Sequence, residues 1–62
     1  MCLSTVYEEI NGERSKVCEY VSNVKSDGET YTMTDIMGVT YTVKGSLKSM
    51  DFIKNEIVIA GV

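Results

Sequence analysis

Few residues in this chain could do chemistry, and the most reactive of them stands second. Cys2, in Met1-Cys2-Leu3-Ser4-Thr5-Val6-Tyr7, sets a thiol beside an amine terminus. A thiolate is a soft ligand, and a neighbouring amine or peptide nitrogen completes a five-membered chelate ring with it, which suits thiophilic metals such as Ni(II), Cu or Zn. Loss of Met1 would leave amine plus thiolate, and two copies of that pair make a planar N2S2 set. Retention of Met1 would offer its amine, the Cys2 amide nitrogen and the Cys2 sulfur as a tridentate set. The competing reading is structural, a small apolar residue at the start of an edge strand. Residue types alone leave both open.

The rest of the inventory excludes more than it offers. Histidine is absent, which removes the commonest general base and the commonest side-chain ligand for zinc, copper and nickel. Cys18 reads as a small buried filler, with a second metal ligand or a redox partner for Cys2 as the alternative. No CxxC or zinc-ribbon spacing is present, nor a phosphate-binding GxGxxG or GxxxxGK[ST]. Glu8 and Glu9 are neighbours on an expected strand and point to opposite faces, so they read as solvated charges and not as an acid/base pair. Met37, an unbranched thioether in an expected turn, reads as a gap filler. An enzyme is not expected.

The 62 residues make one domain, 1–62. Apolar burial contributes about 90 kcal/mol at that size, and ordering the chain costs about the same. A partner would relieve that balance, and with two cysteines only, a homodimer is the expected form. Nine acidic residues against six basic ones give a net charge of −3, scattered along the chain, so phosphate backbones should be attracted weakly. An RNA-binding barrel remains the alternative, since Tyr7, Tyr20, Tyr31 and Tyr41 with nearby lysines could form a stacking face. No apolar run approaches the ~20 residues of a membrane span, and Glu8 and Glu9 interrupt any signal sequence. A soluble cytoplasmic protein with reduced thiols is the expectation.

Local patterning supplies the elements that must position these groups. Residues 2–8 alternate, with Leu3, Thr5 and Tyr7 on one face and Cys2, Ser4 and Val6 on the other, which predicts a strand. Asn11-Gly12 and Asp27-Gly28 are hairpin signals. Between them, Val17, Tyr20, Val21 and Val24 fall at helical spacing, while the Val- and Ser-rich composition and the two flanking turns argue for a strand. Residues 29–34 predict a strand with Tyr31 and Met33 on one side. Asp35-Ile36-Met37-Gly38 predicts a tight turn capped by Asp35 and left through Gly38. Residues 39–43 predict a strand with Val39, Tyr41 and Val43 inward, bent at Lys44-Gly45. Residues 51–55 predict a turn pinned to the core by Phe52 or Ile53. The last strand, 56–60, is apolar on both faces, which points again to a subunit interface. The fold expected is all-β, a small curled sheet or partly open SH3-like barrel of five or six short strands.

The opening Met-Cys-Leu-Ser-Thr-Val-Tyr, Val17-Cys18-Glu19-Tyr20-Val21, Asp35-Ile36-Met37-Gly38, Gly45-Ser46-Leu47 and the closing Ile57-Val58-Ile59 together resemble the CooT family, very small nickel-binding accessory proteins of carbon monoxide dehydrogenase maturation. The resemblance runs over nearly the whole chain, and its most specific part is the opening heptad. It implies β structure with a bulge or register change near Glu19-Tyr20-Val21. It also implies that Cys2 is a Ni(II) ligand shared across a homodimer, and that the ion is delivered to a metalloenzyme such as carbon monoxide dehydrogenase.

Overall fold

The structure, a computed structural model, describes residues 3–61 as five strands: β1 Ser4–Ile10, β2 Glu13–Asp27, β3 Thr30–Asp35, β4 Thr40–Asp51 and β5 Glu56–Gly61. Two tight turns fold the first three together. Asn11 and Gly12 both take positive φ, 53° and 79°, the type I′ geometry whose twist matches that of the strands it joins. Ile10 consequently pairs with Glu13. The second turn lies one residue beyond the expected dipeptide. Asp27 pairs with Thr30, so Gly28 and Glu29 form the loop, with Gly28 at φ 64° in the first central position that a type II′ turn reserves for glycine.

β2 and β4 are long because each serves two neighbours. The first half of β2 pairs with β1 and the second with β3; β4 pairs first with β3, then with β5. The ring closes through parallel pairing of β1 with β5, from Thr5↔Glu56 to Glu9↔Ala60, all other pairings being antiparallel. All-β is therefore observed, and the barrel is closed where the sequence suggested a partly open one. Closure satisfies edges that a five-strand open sheet would expose.

The 13–26 segment is a strand, and its helix-like spacing has a mechanical cause. Cys18, Val21 and Val24 turn inward at intervals of three. Register shifts fall between Cys18 and Val21 and between Val21 and Asn23, and Tyr20 takes φ 57°. Each bulge adds a residue to a period of two. Two bulges in succession imitate a helix in the sequence.

Val6, Met33 and Ile59 are fully buried at the centre of the barrel, with Cys18, Val21, Val43 and Ile57 around them and the partly buried Tyr31 and Tyr41 packed against this cluster. Two expected core contacts are absent. Val39 is half-exposed, preceding β4 instead of entering it. Phe52 and Ile53 are 78% and 94% exposed; the β4–β5 turn is held by polar bonds, the Asp51 carboxylate accepting from the N–H groups of Ile53 and Lys54 at 2.9 Å. Val58 is buried although it alternates with core residues Ile57 and Ile59. The chain itself thus covers both faces of β5, and that strand no longer argues for a second copy.

Candidate metal centre

Cys2 lies outside the described residues, which begin at Leu3. Leu3 and Ser4 lead into β1, where Ser4 pairs with Val21, and the Thr5 N–H is fixed by the Asn55 carbonyl at 2.8 Å. The start of β1 is thereby tied to the β4–β5 turn, and Asn55 reaches that geometry at φ 57°. Beside it opens a groove of about 270 Å³ lined by Leu3, Val21, Val24, Met50, Phe52 and Ile57. Leu3, where the described chain begins, therefore lies on an apolar surface at a braced corner of the barrel.

Cys18 is enclosed. It is buried in the core opposite Val6, a free thiol, as the filler reading expected. Burial pushes its pKa up, and the negative charge of Asp35 adds to that effect. It stays a thiol where a metal ligand must be a thiolate. Among the described residues, no three of the Cys, Asp and Glu side chains come together in a way that could hold an ion. Met37, expected to fill a gap, is instead 82% exposed, because the turn that carries it projects outward. Asp35 makes that turn as expected: its carboxylate accepts from the Met37 and Val39 N–H groups at 2.9 and 3.0 Å, and Gly38 leaves the turn at φ 86°.

The residues that suggested a stacking face are dispersed. Tyr31 and Tyr41 pack on the core, Tyr7 lies beneath the Arg14 guanidinium at 5.7 Å, and Tyr20 projects from its bulge. Three of the six cations are engaged inside the molecule, Arg14 and Lys48 on Glu9, and Lys16 on Glu19. Two arrangements were invisible before the register was known. One is Glu9 clasped between cations from β2 and β4; the other is Asp51 directly opposite Glu56 across β4 and β5. Only strand pairing brings those residues together, and no local spacing signals it.

The family model described as CooT, CO dehydrogenase accessory protein, matches residues 1–60. The chain belongs to the CooT family. The match spans the chain start, all four turns and the ring-closing strand β5 as far as Ala60. Membership assigns this CooT chain an accessory role toward CO dehydrogenase and argues for a non-enzymatic one. A search of curated proteins finds no match. No helix of the CooT chain's described residues is long and apolar enough to cross a membrane.

Proposed function

We propose that this protein binds Ni(II) through Cys2 at a homodimer interface and delivers it to a metalloenzyme such as CO dehydrogenase. The observation that carries the proposal is the CooT match, which includes position 2 in a chain without histidine and with its other thiol sealed in the core. The chemistry is consistent with transfer. A set of two thiolates and two backbone or amine nitrogens, one half from each copy, suits Ni(II) in a planar geometry. Lacking a cage of histidines, such a site leaves an open face from which the ion can pass. The apolar corner beside Leu3 provides surface on which protein can pack around the chain start.

Titration of the purified protein with Ni(II), followed by thiolate-to-metal charge-transfer absorption, tests this reading. Saturation at one ion per two chains is expected, with loss of the signal in Cys2→Ser. Retention of the full signal in Cys2→Ser would overturn it.

A further inference from the structure

We infer that Asn55 is a positioning residue for the metal-binding terminus: held in the left-handed region, it presents its carbonyl to Thr5 and so fixes the strand end from which Cys2 extends. The inference rests on the reading of Cys2 as the Ni(II) ligand and adds to it the residue that governs where the ligand's segment lies.

The start of β1 has one irregular side and one regular one. Against β2, Ser4 lies opposite Val21, and a register shift intervenes before Val6 meets Cys18. Against β5, the parallel pairing runs without interruption from Thr5↔Glu56 to Glu9↔Ala60. The first bond on that side is the Thr5 N–H donated to the Asn55 carbonyl at 2.8 Å, one residue before β5 begins. A strand end near a terminus frays unless it is tied down, and this bond is where the β4–β5 turn ties it.

The tie depends on the conformation of one residue. Asn55 takes φ 57°, a region that asparagine tolerates and β-branched residues avoid. At negative φ the chain would leave the turn in another direction, and the Asn55 carbonyl would no longer meet Thr5. Asp51 braces the same turn from its other end, its carboxylate accepting from the Ile53 and Lys54 N–H groups at 2.9 Å. Leu3 lines a groove together with Phe52 and Asn55 of this turn. The described chain therefore meets the turn twice, at Leu3 and at Thr5.

Leu3 is the sequence neighbour of Cys2, and neighbouring Cα atoms are about 3.8 Å apart. The range open to a ligand at position 2 is thus set by how firmly Leu3 to Thr5 are held. Ligands that must be ordered on binding cost affinity, and groups that orient ligands without touching the ion change metal affinity by about 10–100-fold. A site shared by two copies doubles the requirement, because both chain starts must be in place to close one ligand set.

The test compares two substitutions at position 55 in the full-length chain. Asn55→Gly keeps positive φ accessible, and Asn55→Val disfavours it. Asp51→Ala loosens the same turn by a second route, removing both of its side-chain bonds. Amide hydrogen exchange at Thr5, Ni(II) titration by charge-transfer absorption and thermal unfolding are measured on each. Asn55→Val and Asp51→Ala should stay folded, exchange the Thr5 amide faster and bind Ni(II) about tenfold more weakly, while Asn55→Gly stays within about twofold of wild type. A purely structural role would lower the unfolding midpoint and leave nickel affinity unchanged in the folded variants, and that result overturns the inference. So does unaltered Thr5 exchange in both loosened variants, or an Asn55→Gly protein as impaired as Asn55→Val. Loss of fold in both loosened variants overturns it too, because the turn would then hold the barrel and not its terminus. The two readings fail separately. Nickel absorption intact in Cys2→Ser removes the ligand reading, whereas its loss in Cys2→Ser with wild-type affinity in the turn variants removes the role of Asn55 alone.

Discussion

Gly45 lies so close to Ala60 that a Cβ at position 45 would overlap the Ala60 carbonyl oxygen. The contact occurs where β4 leaves β3 and turns onto β5, with the Gly45 N–H bonded to the Glu29 carbonyl at 2.7 Å and φ at 155°. Backbone cannot retreat there without opening a pairing. Gly45→Ala is therefore expected to lose about 3 kcal/mol or more. Gly38→Ala, at φ 86° with open space around the missing Cβ, should lose only about 1–2 kcal/mol. Urea denaturation of the two variants checks the order, and equal losses would assign the role of Gly45 to φ instead of contact.

Tyr20 occupies the left-handed region at φ 57° while its side chain is 60% exposed. The backbone is held there by the bulge that closes β2 onto β1 and by the Ile36 N–H bonded to the Tyr20 carbonyl at 3.0 Å. An aromatic residue contributes little to such a site, whereas asparagine tolerates that conformation. Tyr20→Asn should raise stability by about 0.5–1 kcal/mol. A loss of similar size in the denaturation midpoint would show that the tyrosine ring packs usefully despite its exposure.

The sequence carried the turns better than the strand faces. Asn11-Gly12, Asp35 and Gly38 fulfil their expected roles because turn chemistry is decided by a few adjacent atoms. The interior of β2 was ambiguous for the converse reason: bulges at Tyr20 and past Val21 replace a period of two with one of three, and periodicity alone cannot separate that from a helix. Phe52 and Ile53 misled because apolar character marks burial only when a partner surface exists within the chain. Of the candidate site, only Cys2 was legible. The opposition of Asp51 and Glu56 depends on register, which no local pattern encodes.

The two cysteines should separate cleanly by experiment. Cys18→Ala removes a buried sulfur opposite Val6 and should lower stability by about 1–2 kcal/mol while leaving the Ni(II) charge-transfer signal intact. Cys2→Ser should do the reverse. Nickel affinity of the wild type should also fall as the solution is acidified, since each thiol must lose its proton to bind as thiolate. Loss of nickel absorption in a folded Cys18→Ala protein would bring Cys18 back as a ligand.

Glu9 joins three strands through charge alone. Its carboxylate on β1 accepts from Lys48 on β4 and lies 3.7 Å from Arg14 on β2. The hydrogen bond from Lys48 is the largest influence, and with the charges of Lys48 and Arg14 it holds the Glu9 pKa below its ordinary value of 4.5. A carboxyl with a depressed folded pKa binds its proton less readily folded than unfolded. Its stabilisation is present above the unfolded pKa and is lost as pH falls through the folded one. Glu9→Gln should therefore melt at a lower temperature than wild type at pH 7, and the gap should close progressively below about pH 4. Because both cations are half-exposed, roughly 1 M salt should shrink the same gap at pH 7. Thermal unfolding followed by circular dichroism across pH measures both. A gap that persists unchanged in acid would mean that Glu9 holds the barrel through its shape and packing, not its charge.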